Sequence, residues 1–273
     1  MVHPFSIWSS YDIDLSPEDM VLAMERRGLT VCELSDEHAA ALLQREGTPE
    51  EIGAAFRAFA AEHHVTFPQG HLWRTVRLCD KSEEIVGILG NWFRMFGAIG
   101  IRNGVLHCDN KSFPAGTDAE TILNANAAVL KILAPMADAC GVRICLENLK
   151  SFFTDAESIL TVIERTGSQT IGICLDTGHL HLCHPKDQEH FILTAGDKLH
   201  ALHIADNQGQ QDQHMMPFGR GNADFRSVMK GLKEIGYTDL FNYEIPGESL
   251  CPPEVRDAKA EYLKTVTETL FAY

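Results

Sequence analysis

Several apolar segments of the chain run into a carboxylate or an imidazole. HVTFP (64–68) is followed by QGH, with His71, and GVLHC (104–108) carries His107. VRICLE (142–147) ends on Glu147, and TIGICL (170–175) continues into DTGH, with Asp176 and His179. LHALHI (199–204) contains His203, and LFNYEI (240–245) contains Glu244. Carboxylates and imidazoles bind divalent cations and carry protons near neutral pH. Taken singly, each has an ordinary structural explanation as a capped carboxylate or a hydrogen-bonded core histidine. Buried together, Glu147, Asp176 and Glu244 would force like charges into one poorly solvated volume, and a divalent cation removes that conflict. The expected ligands of one ion are therefore Glu147, Asp176, His203 and Glu244. An oxygen-rich set with one imidazole suits Mn²⁺ first, with Co²⁺, Mg²⁺ and Zn²⁺ as alternatives.

For these groups to meet, their strands must lie side by side with the same ends together. Further strand candidates are VHPFSI (2–7) and TVCEL (30–34), and most of the eight are rich in Val, Ile, Leu, Phe or Cys, as buried parallel strands are. Helical patterns fill the gaps at 16–27, 49–63, 82–99, 118–139, 155–166, 186–196, 224–235 and 253–271; the first opens on Ser16-Pro17, an N-cap followed by proline. Eight strands alternating with eight helices predict an α/β fold, a (β/α)₈ TIM barrel, as a single domain over residues 1–273. An open doubly wound sheet would usually carry a glycine-rich loop after its first strand, and IWSSYDID (7–14) has none. In a barrel the active site forms at the carboxyl ends of the strands, where the polar residues fall.

Composition narrows the partners. The net charge of −15 repels phosphate polymers and anionic surfaces, so neither nucleic acid nor membrane is expected. The eight cysteines form no C-x-x-C pair, and four of them sit in apolar strand runs, as in a reducing cytoplasm. MVHPFSIWSS does not read as a signal peptide, and no segment is apolar enough to span a bilayer. A cytoplasmic protein is expected, and a homo-oligomer is compatible with the sequence.

Five stretches, LENLK (146–150), LDTGH (175–179), LHIADN (202–207), DQHMMPFGRGNADF (212–225) and YEIPG (243–247), resemble the motifs of the sugar phosphate isomerase/epimerase superfamily. These xylose isomerase-like TIM barrels include ketose 3-epimerases, inosose-processing enzymes and abasic-site endonucleases. The resemblance implies that Glu147, Asp176, His203 and Glu244 hold the metal, that Glu147 and Glu244 form the acid/base pair, and that His179 contacts a substrate oxygen. The epimerases carry an arginine soon after the metal histidine that reaches a substrate oxygen; here DNQGQQDQH has none, and the first to follow, Arg220, is the candidate left for that substrate contact. His71, His107, Asp212 and His214 fall where the endonucleases place ligands for additional zinc ions. In a sugar enzyme the same four would line the pocket and bind hydroxyls, and the acidic charge favours that single-metal reading.

The function so implied is a metal-dependent sugar isomerase or epimerase. It would act on a small carbohydrate, a ketose or keto-inositol, by proton transfer next to the carbonyl through a metal-bound enediolate. The first alternative is a dehydratase or lyase on a related polyhydroxy carbonyl compound, and the second is a multi-zinc endonuclease-like phosphodiesterase. Arg74, Lys111, Lys150 and Arg220 are the evident basic residues near strand tops, a small number that favours an unphosphorylated substrate. Trp8, Phe67, Trp73 and Phe113 are candidates for an apolar wall against a sugar ring. In PFGRGNADF (217–225) the glycines are expected to let the backbone turn before Asp224 caps the next helix.

Overall fold

A computed structural model describes residues 5–245 and 251–273. The strands are β1 (Ser6–Ile7), β2 (Val31–Leu34), β3 (Thr66–His71), β4 (Asn103–His107), β5 (Arg143–Glu147), β6 (Gly172–Asp176), β7 (Leu199–His203) and β8 (Asn242–Tyr243). β2 to β7 form one parallel sheet in chain order, and β1 pairs with β8, also in parallel. Single parallel bridges, Trp8 with Glu33 and Ile204 with Tyr243, join the two pieces into a closed ring. This is the expected (β/α)₈ barrel.

The helices are α1 (Pro17–Arg26), α2 (Asp36–Leu43), α3 (Pro49–Glu62), α4 (Ser82–Ile99), α5 (Ala119–Ala139), α6 (Ala156–Thr166), α7 (Thr177–Cys183), α8 (Gln188–Ala195), α9 (Phe225–Glu234) and α10 (Pro253–Phe271). Local chemistry fixes many of their starts. Ser16 accepts the Asp19 N–H ahead of α1, Thr48 and Glu51 make a reciprocal capping box at α3, and Asp118, Asp155 and Asp224 cap α5, α6 and α9. Two short helices lie where a sequence reading has only loop. α2 and α7 have 8 and 7 residues, too short to display a helical period, and both are started by side-chain caps, Ser35 and Asp176. β3 also runs three residues past the predicted strand, through Gln69-Gly70-His71, where the polar residues mask its period.

The barrel interior explains why the polar residues converge. Val105, Cys145, Cys174 and Ala201 form a fully buried cluster contributed by β4, β5, β6 and β7. Side chains in a strand alternate faces, so two residues further on His107, Glu147, Asp176 and His203 point to the same interior, one layer nearer the carboxyl ends. The register agrees, with His107 opposite Glu147 and Asp176 opposite His203. The strand cysteines act as core: Cys32, Cys108, Cys145 and Cys174 are buried free thiols, and burial pushes their pKa values up. Among the described residues no helix is long and apolar enough to cross a membrane.

One buried histidine outside this layer gives the fold a pH dependence. His38 caps the packing of α2: its Nδ1 accepts from Ser9 Oγ at 2.8 Å and its Nε2 donates to Leu15 O at 3.2 Å. Burial lowers its pKa, so the folded ring stays neutral where an unfolded one begins to charge. The unfolded chain then binds the extra proton, and this contribution to stability falls as pH drops below about 6.5. Urea midpoints followed from pH 8 to pH 5.5 are expected to show His38→Gln losing less stability than the parent over that interval.

Candidate metal centre and active site

Glu147 ends β5, Asp176 ends β6, His203 ends β7, and Glu244 follows β8. Their ligand atoms all lie within 4.8 Å of one another. His203 Nδ1 stands 3.3 Å from Glu147 Oε1 and 3.3 Å from Glu244 Oε2. Each residue keeps one buried atom without a hydrogen-bond partner: Glu147 Oε1, Asp176 Oδ2, His203 Nδ1 and Glu244 Oε2. Leaving such atoms unpaired costs about 1–3 kcal/mol each, more when charged. Three of the four residues are anchored through their other polar atom. Glu147 Oε2 accepts from His107 Nε2 at 2.9 Å and His71 Nε2 at 3.3 Å, Asp176 Oδ1 accepts the His179 N–H at 2.6 Å, and His203 Nε2 faces Glu33 Oε1 at 3.1 Å. Three carboxylate oxygens and one imidazole nitrogen, unpaired in front and all but that of Glu244 held from behind, fit a divalent cation.

The LDTGH segment shows how the chain achieves this. Asp176 is both the last residue of β6 and the N-cap of α7, which commits Oδ1 and frees Oδ2. Thr177 Oγ1 donates to Ala205 O at 2.8 Å and accepts the Ala205 N–H at 3.0 Å, tying the turn to β7. Gly178 leaves room for the Asn207 amide, which donates to its carbonyl at 2.8 Å; a Cβ there would lie 3.2 Å from that nitrogen. Asn148 exchanges hydrogen bonds with the Asp176 backbone at 2.7 and 3.0 Å, and its carbonyl takes His179 Nδ1–H at 2.9 Å. Asn148 therefore sets the heights of Glu147, Asp176 and His179 together.

Burial pushes Glu244 up to about 7, while it also faces His203 and His214. Burial would raise Glu147 too, yet the charges of His203 and His107 and hydrogen bonds from His107 and His179 hold it well below the usual carboxylate range. Against their own burial, His71 is raised to about 9 by Glu147 and His214 to about 10 by Glu244 and Asp212, whereas burial lowers His107. Without a cation, the histidines supply the positive charge that the carboxylates require.

A cavity of about 780 Å³ opens over Glu147 and Glu244. His107, His179, Asp212 and His214 line it. Asp212 Oδ2 is 3.3 Å from His179 Nε2, and Asp212 Oδ1 is 3.1 Å from His214 Nε2. His71 is not on the cavity wall. It is fully buried behind Glu147, stacks on His203 with centroids 5.6 Å apart, and spends its Nδ1–H on Leu72 O. Arg220 is exposed and away from the cavity. Of the four aromatic residues only Trp8 reaches the wall, and Phe67 packs on Phe56 in the core. The basic residues are as few as the sequence suggests, with Arg77 in place of Arg220: Arg74, Arg77, Lys111 and Lys150 border the cavity, and Lys150 is paired to Asp212 at 2.7 Å. Glu33 is absent from the sequence reading, although an acid inside TVCEL, on the inward-facing alternation, is a visible signal.

The PFGRG turn has a packing reason for one glycine only. A Cβ on Gly221 would sit 2.2 Å from the Asp206 carboxyl, which accepts the Asn207 and Ala223 N–H groups, whereas a Cβ on Gly219 meets nothing nearer than 3.4 Å. Gly221→Ala is expected to cost about 1–3 kcal/mol in urea denaturation, and Gly219→Ala less than about 0.5 kcal/mol.

Fold and site together define a (β/α)₈ barrel protein with a buried carboxylate–imidazole centre at the carboxyl ends of its strands. The chain belongs to the xylose isomerase-like TIM barrel family, whose description matches residues 21–266. It is 26% identical over 156 residues to a ketose 3-epimerase of Arthrobacter globiformis, covering 56% of this chain and 51% of that one. It is also 26% identical over 158 residues to an inosose isomerase of Bacillus velezensis, covering 55% of each. The chain spans about half the length of the curated relatives it matches. A solved D-psicose 3-epimerase with D-tagatose, from Clostridium cellulolyticum H10, superposes with a TM-score of 0.81 at 15% identity, over 98% of this chain and 99% of that one, a likeness of fold.

Proposed function

We propose that this chain, as one barrel domain over residues 1–273, is a divalent-metal-dependent isomerase or epimerase of a ketose, keto-inositol or related polyhydroxy carbonyl compound. The observation that carries the reading is the set of four unpaired buried atoms on Glu147, Asp176, His203 and Glu244, two of which, Glu147 and Glu244, also line a cavity with ample room for a sugar. The kinship with a ketose 3-epimerase and an inosose isomerase supports it. When bound, a divalent ion, Mn²⁺ by first preference, would supply the charge that makes hydrogen on a carbon next to a carbonyl acidic.

The chain's own residues do the rest. Glu147 ends β5 and Glu244 follows β8, so their carboxylates approach a ligand from two directions. One takes the proton from carbon and the other returns one, to the opposite face for epimerisation or to the neighbouring carbon for isomerisation. His107 and His71 hold Glu147 in place through Oε2. His179 and His214, bridged by Asp212, form a polar edge of the cavity that would grip substrate hydroxyls. His71 contributes from behind the carboxylate.

The test is incubation of the protein with Mn²⁺ and a series of ketoses and inososes, phosphorylated and free, in deuterated water. Deuterium is expected at the carbon beside the carbonyl, with formation of an epimer or isomer. Loss of water from the substrate would instead mark the dehydratase, and no exchange with any member of the series would overturn the proposal.

A further inference from the structure

Glu33 lies at the end of β2, fully buried, with no place in the ligand set or on the cavity wall. Its Oε1 accepts from His203 Nε2 at 3.1 Å, and its Oε2 accepts from Asn242 Nδ2. Asn242 Oδ1 in turn accepts from Ser6 Oγ, which fixes the amide with its nitrogen toward Glu33. All four side chains have no exposed surface. They form one hydrogen-bonded line through β7, β2, β8 and β1, across both seams where single bridges join the β1–β8 pair to the larger sheet.

We infer that Glu33 is the positioning residue of the metal centre, accepting the Nε2–H of His203 so that the ring presents its Nδ1 lone pair toward Glu147, Asp176 and Glu244. The inference rests on the metal reading above. An imidazole can carry its proton on either nitrogen and can flip about its ring axis. A carboxylate acceptor at Nε2 selects one tautomer, sets the ring plane and makes the opposite nitrogen a stronger donor to a cation. Asn242 and Ser6 do the same for Glu33, because the second carboxylate oxygen is taken and the side chain cannot swing away. A buried carboxylate is tolerated there because both its oxygens receive N–H donors.

The experiment measures Mn²⁺ affinity calorimetrically, and the Co²⁺ absorption spectrum, for the full chain, Glu33→Gln and Glu33→Asp, each with His203 present and in a His203→Ala background. Glu33→Gln removes the charge in the same shape, and Glu33→Asp keeps the charge but withdraws it from Nε2. Both are expected to weaken Mn²⁺ binding by about 10–100-fold and to alter the Co²⁺ ligand-field bands. In the His203→Ala background either change is expected to cost no more than about two-fold, because the ring through which Glu33 acts is gone. Unchanged affinity in both variants, wild-type binding by Glu33→Asp, or an equal loss without His203 would each overturn the positioning role while leaving the metal centre standing. Absence of Mn²⁺ binding by the parent protein would remove both readings at once.

Discussion

Glu147→Gln and Glu244→Gln are each expected to reduce incorporation of solvent deuterium into substrate by at least about 10²–10⁴-fold, the scale of a lost general acid or base. Glutamine preserves the shape, so Glu147→Gln still offers an oxygen to His107 and His71, and the barrel should fold in both variants. Because the two carboxylates also belong to the proposed ligand set, the comparison belongs at saturating Mn²⁺, with bound metal measured alongside. Metal retained and exchange lost is the expected pattern. An epimerase whose two carboxylates serve two faces should lose turnover in either variant. Exchange that persists in both would end the two-carboxylate scheme.

Removal of the ion is the second large effect. After dialysis against a chelator the protein is expected to lose catalytic exchange and to melt lower, with recovery of both on addition of Mn²⁺. Binding to the folded state alone contributes about 2.7 kcal/mol at a hundred times the dissociation constant, which corresponds to several degrees in Tm. The effect should be pronounced here because Glu147, Asp176, His203 and Glu244 are almost completely buried and each leaves one atom unpaired. Asp176→Ala should abolish the metal-dependent rise in Tm. Undiminished activity of the stripped protein would overturn the reading.

Much of this centre is legible in the chain before it folds. LENLK, LDTGH, LHIADN and YEIPG place Glu147, Asp176, His203 and Glu244 at strand ends, and the structure brings those four together; Pro246 and Gly247 of the last motif lie outside the described residues. The lining residues His107, His179, Asp212 and His214 are equally legible. Arg220 stands near the site along the chain, but it is exposed and is not among the residues that line the cavity. His71 misleads in another way: it reaches the centre, but from the core side of Glu147.

The sequence by itself determined the alternation of strands and helices, and with it which strand-end residues face the barrel axis, because the period of a β-strand and the capping of a helix are local properties. Only the tertiary structure decided what stands behind each ligand. Glu33 meets His203 across 170 residues and Asn242 across 209. Such partners are chosen by closure of the ring and the stagger of its strands, and no local pattern encodes the distance between two positions so far apart along the chain.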